Sequence, residues 1–150
     1  MKVLVADDDP VSRRLLLNYL QKWGYEVSVA TNGAEAWQMF EKEEFLIVIS
    51  DWMMPELDGT DLIKRIRQHP GDHYVYTILL TARSQKEDLV IGMDAGADDF
   101  VSKPFNQNEL HVRLRAGERI VNLEIALKKK YQAMHEALTA SQPSSDPAAG

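Results

Sequence analysis

The sequence predicts an open α/β domain, a doubly wound parallel sheet with helices on both faces. Three observations lead there. Short, nearly unbroken apolar runs alternate with segments carrying helix punctuation, five times in order. The central runs are too continuous for strands wet on one side, as expected of a parallel sheet covered on both. The 150 residues, 45% apolar and 27% charged, supply one core.

The elements follow in chain order. Val3 to Ala6 form the first strand, and Asp9 before Pro10 gives an N-cap and a first-turn proline, with Gly24 as the closing glycine of a helix over about 10–23. Val27 to Ala30 alternates and predicts an edge strand. Phe45 to Ile49 and Val75 to Leu80 predict buried strands, and Phe100-Val101 a short fifth. Asn32 with Glu35, Asp58 with Asp61, Ser84 with Glu87 and Asn106 with Glu109 mark four further helix starts. The spacing assigns core faces to Ala36, Trp37 and Phe40; to Leu62, Ile63 and Ile66; to Leu89, Val90 and Met93; and to Leu110 and Leu114. Gly59, Gly92 and Gly96 read as turn and helix-end glycines.

The compact part is expected to span 1–118. Beyond it, Ile120, Leu123, Leu127, Tyr131, Met134 and Leu138 recur at a mean interval of about 3.6, one face of a straight helix rather than a supercoil. Lys130 and Ala137 would occupy alternate core positions of a heptad reading. For an extension over 119–139, a homodimer through the last helices, a connector to an output, and a helix that folds back or merely packs on a neighbour all stay open. Residues 140–150 are small, polar and proline-bearing, a flexible tail or linker.

Composition removes whole classes of function. The absence of cysteine excludes disulfide frameworks, thiolate metal sites and cysteine nucleophiles, and fits a reducing cytoplasm. His69, His73, His111 and His135 fall at no metal-ligand spacing. No run approaches the roughly 18 apolar residues of a membrane span, and the start turns acidic too early for a signal peptide. Residues 1–112 carry 11 basic and 19 acidic side chains, a net −8, which disfavours direct nucleic-acid contact. The run Lys128-Lys129-Lys130 reads as a solvated helix face.

In open α/β sheets ligands bind beyond the carboxyl ends of the strands. There the sequence places Asp7 and Asp8, Asp51, Thr81, and Ser102-Lys103-Pro104. Three carboxylates in one pocket demand a counter-charge, and oxygen-only donors favour Mg²⁺. An ammonium from Lys103 and a hydroxyl from Thr81 would complete a cradle for a transferring phosphoryl group, with Asp51 as nucleophile. Trp52 reads as a loop-packing aromatic, and Met53 and Met54 as gap fillers whose loop carbonyls could face a metal.

Four segments, VLVADDDP, VISDWMMPELDG, LLTA and DDFVSKPF, resemble in order and spacing a response-regulator receiver domain of the chemotaxis-regulator kind, the phosphoacceptor half of bacterial two-component signalling. The resemblance covers residues 1 to about 118. It implies a flavodoxin-like sheet of order 2-1-3-4-5, with Asp51 as phosphoacceptor. It implies Asp8 as a direct Mg²⁺ ligand, Asp7 acting through water, and the Met53 carbonyl as a further ligand. Thr81, the Ala82 backbone and Lys103 are implied to bind phosphoryl oxygens, Thr81 and Phe100 to switch together, and Pro104 to follow a cis bond. The implied partner is a histidine kinase or histidine phosphotransfer protein.

Two positions depart from some relatives: Met53 and Arg83 offer no carboxylate or amide to align a hydrolytic water, so slow dephosphorylation is expected. Three alternatives stand beside the switch. Asp7-x-Asp9 after an apolar strand also suits a Mg²⁺-dependent aspartyl-phosphate phosphatase. The segment LRAGERIVNLEIAL resembles the connector that joins receivers to enzymatic outputs. A phosphate-independent interaction module would leave the pocket idle.

Overall fold

The computed structural model describes residues 1–69, 71–82 and 86–141. The chain runs β1 (Lys2–Ala6), α1 (Pro10–Lys22), β2 (Glu26–Ala30), α2 (Gly33–Lys42), β3 (Ile47–Asp51), α3 (Gly59–Gln68), β4 (Tyr76–Thr81), α4 (Lys86–Ala95), β5 (Asp99–Ser102) and α5 (Gln107–Ser141). The five strands are parallel and ordered β2-β1-β3-β4-β5. The alternating β2 is an edge strand, whereas β1, β3 and β4 lie inside, as their continuous apolar character requires.

Successive side chains on a strand point to opposite faces, and the core divides accordingly. Val3 and Val5 of β1 face Leu16 and Leu20 of α1 and Leu110, Leu114 and Val121 of α5. Leu4 and Ala6 face Ala36 and Phe40 of α2 and Leu62 and Ile66 of α3. A smaller cluster of Trp52, Ile63, Leu79 and Ala97, with Phe100 against it, lies on the α3 face.

The helix signals resolve into real caps. Asp9 accepts a hydrogen bond from the Val11 N–H at 3.2 Å, Asn32 from Glu35 at 2.8 Å, and Asp58 from Asp61 at 3.0 Å. Asn106 accepts from both Asn108 and Glu109. Gly24 follows α1 at φ +92°, and Gly96 follows α4 at +108°. Ser84 and Glu87, expected to start α4, carry no description here: Ser84 lies outside the described residues, as does the side chain of Glu87.

Three expectations are corrected. The third strand begins at Ile47, because its pairing with β1 starts at Val3 opposite Ile47; Phe45 is buried from the preceding loop. An apolar run reports burial, not strand geometry. Second, Leu89, Val90 and Met93 do not face the core: they are 36%, 57% and 53% exposed. Third, Gly92 does not end a helix but sits within α4, buried against the sheet. A Cβ there would meet the Phe100 ring at 2.5 Å, so α4 approaches too closely for bulky inward side chains. Gly92 and Ala95 face inward and the large residues turn out.

At the far end, α5 is one unbroken helix to Ser141. It does not fold back on the domain. Leu110, Leu114 and Val121 anchor its first half, while Ile120, Leu123, Leu127, Tyr131, Met134 and Leu138 are all exposed. Among the described residues, no helix is long and apolar enough to cross a membrane.

Candidate functional site

The carboxyl ends of the strands gather the chemistry. Asp7 and Asp8 follow β1, Asp51 is the last residue of β3, Thr81 the last of β4, and Lys103 follows β5. Asp7, Asp8 and Asp51 each present a carboxylate oxygen, all within 4.8 Å of one another. The Lys103 ammonium bridges two of them, donating to Asp7 Oδ2 at 3.0 Å and Asp51 Oδ2 at 3.1 Å. Its own backbone N–H bonds the Thr81 carbonyl, which ties the lysine to the end of β4. The Lys103-Pro104 peptide is cis.

The three acids differ in setting. Asp7 is fully buried, Asp51 partly so and Asp8 exposed. The polar groups of Asp7 are engaged: Oδ1 accepts from the Asp9 N–H at 3.0 Å, its N–H bonds the Ala30 carbonyl, and its carbonyl accepts from Arg13. Burial first, and the charge of Asp7 second, push the Asp51 carboxyl up to about 6, although Lys103 pulls it down. Burial alone would lower the Lys103 ammonium; the bonds and charges of Asp7 and Asp51 outweigh it and hold the ammonium above its ordinary value.

The loop after Asp51 is packed from several sides. The Gly59 N–H bonds the Trp52 carbonyl at 2.8 Å, and a Cβ on Gly59 would lie 2.2 Å from the Asp51 carbonyl oxygen. Gly59 therefore cannot carry a side chain without moving the loop that holds the acid. Trp52 and Met54 are buried, whereas Met53 is 59% exposed. Thr81 is buried and Ala82 exposed. Phe100 stacks on Trp52, with ring centres 6.4 Å apart, and lies under Gly92. Arg83 lies outside the described residues.

The donor set fits a hard divalent ion. Three carboxylates face one ammonium, so the cluster carries excess negative charge in a partly buried pocket, with oxygen donors alone. Asp9 stands apart: its carboxylate is occupied by the Val11 N–H, which holds it below the usual range, and it joins no cluster with the other three. That weakens the phosphatase reading, which needs Asp9 in the pocket. Arg13 is the residue that motif reading passed over. The signal was its place four residues after Asp9, one turn into a helix that starts at the site.

Comparison with known proteins agrees with this arrangement. The family model of the response regulator receiver domain matches residues 3–115. The probable transcriptional regulator ycf27 of Pyropia yezoensis is 43% identical over 115 residues, 77% of this chain and 46% of that protein. The chain thus spans about half the length of the curated relatives it matches. Among solved structures, the chemotaxis protein CheY4 of Vibrio cholerae superposes with a TM-score of 0.73 at 33% identity, covering 77% of this chain and 96% of that one. A probable two-component system response regulator/GGDEF domain protein gives 0.75 at 27% identity, covering 81% of this chain and 50% of that one. With the strand order, the gathered acids and a family match over three-quarters of its length, this chain belongs to the response regulator receiver domains of two-component systems.

Proposed function

We propose that the chain is a Mg²⁺-dependent phosphoacceptor whose Asp51 receives a phosphoryl group from a phosphohistidine of a histidine kinase or histidine phosphotransfer protein. The supporting observation is the convergence of Asp7, Asp8, Asp51 and Lys103 at the carboxyl ends of three strands. An Asp51 carboxylate oxygen forms the new O–P bond as the donor's P–N bond breaks, and the departing imidazole takes a proton from solvent. Asp7, Asp8, Asp51 and the Met53 carbonyl would hold Mg²⁺, which when bound would supply charge against the phosphoryl oxygens. Lys103, Thr81 and the Ala82 backbone bind those oxygens. Two of the three Lys103 N–H donors bond Asp7 and Asp51, which leaves one for a phosphoryl oxygen.

The phosphorylated state draws Thr81 toward the phosphate and lets Phe100 move inward, repacking α4 and β5. The protein turns over no separate substrate; it acts by promoting its own phosphorylation and slow dephosphorylation in the cytoplasm. Its output runs through α5, whose exposed apolar stripe joins two copies or transmits to an attached output. The net −8 over residues 1–112 sets this body against direct contact with nucleic acid.

The test is incubation with Mg²⁺ and acetyl phosphate, followed by intact mass. One added phosphoryl group, lost in Asp51→Asn and without Mg²⁺, is the expected result. A protein that stays unmodified, or labelling at Asp7, would overturn the reading.

A further inference from the structure

The Asp7 carbonyl ends its strand without a sheet partner, since pairing of β1 with both neighbours stops at Ala6. Asp7 is fully buried, and an unpaired carbonyl in such a place is destabilising. Arg13 fills the gap, donating from Nη1 to the Asp7 carbonyl at 2.9 Å. Its own backbone N–H bonds the Asp9 carbonyl at 3.0 Å, the first turn of α1. The guanidinium is thereby fixed to the helix and grips the strand end.

That carbonyl belongs to the peptide plane joining Asp7 to Asp8. Turning the plane swings the exposed Asp8 carboxylate, while Asp7 stays held by Asp9 and Lys103. With the plane held as it is, the three oxygens lie within 4.8 Å of one another. We propose that Arg13 is a positioning residue for the metal pocket: its bond to the Asp7 carbonyl orients the Asp7-Asp8 peptide so that the Asp8 carboxylate faces Asp51 beside the separately held Asp7. The inference rests on the phosphoacceptor reading of that pocket. It concerns the hydrogen bond rather than the charge, because a second cation behind the acids would by itself oppose Mg²⁺.

Mg²⁺ titration by calorimetry, with thermal unfolding as a parallel readout, tests it on the full chain. Arg13→Ala should weaken Mg²⁺ binding about tenfold and slow labelling by acetyl phosphate at fixed Mg²⁺. Arg13→Gln, an uncharged donor, should recover most of that loss. Wild-type affinity in Arg13→Ala would overturn the proposal, leaving only a stabilising role. Equal loss in both variants, with each melting cooperatively, would overturn it too, since charge and not the bond would then be responsible. If Arg13→Ala does not fold, Arg13→Gln decides alone: affinity within about threefold of wild type supports the bond, and a tenfold loss sinks it. Wild-type protein that binds no Mg²⁺ would instead refute the underlying reading of the pocket.

Discussion

Asp51 is held in a strained electrostatic position. Its carboxyl titrates near 6 because burial and Asp7 disfavour the charged form. Between its ordinary value of 3.8 and about 6, the native state keeps a proton that the unfolded chain has released. Stability without Mg²⁺ therefore falls as pH rises through that window, the reverse of a salt-bridged aspartate. Asp51→Asn removes the crowding and leaves Lys103 to Asp7. It should raise metal-free stability by about 1 kcal/mol at pH 7, and by nothing near pH 4, when followed by urea unfolding across pH. Destabilisation at pH 7 would show the Lys103 bond to outweigh the repulsion. Met53 makes the opposite kind of contribution. It is exposed two residues past Asp51 and offers no hydrogen bond to an attacking water. Met53→Asn should shorten the phosphorylated lifetime several-fold; an equal or longer lifetime would show that water alignment is set elsewhere.

At the scale of elements, α4 is the helix that departs most from its pattern. Leu89, Val90 and Met93 read as a core face because periodicity reports which residues share a side, not which side meets the sheet. The deciding residue was Gly92, whose missing side chain lets Phe100 occupy the contact. In an open helix Gly→Ala stabilises by about 1 kcal/mol. At Gly92 the new methyl would overlap the Phe100 ring, and overpacking costs about 1–3 kcal/mol, so Gly92→Ala should be net destabilising and should alter Trp52 fluorescence through the stacked ring. In a Phe100→Leu background the same change should become neutral or stabilising. Additive effects in that double-mutant cycle would disprove the contact. The other elements were legible because their signals are local: Asp9, Asn32, Asp58 and Asn106 cap helices by bonds that span two or three residues.

Across the whole molecule, what could be read from the sequence was the part set by strand ends. Parallel pairing brings the residues after each apolar run to one edge, so the strand ends alone gather Asp7, Asp8, Asp51 and Lys103. The Arg13 bond left only a positional signal, a basic residue one turn into the helix that starts at the site, since a side chain reaching back from a helix to a strand-end carbonyl leaves no periodic mark. The same limit applies to what the long helix does. Its stripe is exposed over residues 120–138, whereas most helical stability in proteins comes from packing an apolar face. If phosphorylation drives two copies together, the acidic pocket and the stripe must be separable by mutation, because they lie on different parts of the chain. Leu127→Lys puts a charge in the middle of the stripe, where Leu127 is 65% exposed and its loss leaves the sheet and Asp51 untouched. Acetyl phosphate labelling of Leu127→Lys should match wild type, while sedimentation of the labelled protein should show monomer where wild type shows dimer. Wild type that stays monomeric at tens of micromolar after full labelling would remove self-association from the output and leave α5 as a connector to an attached partner.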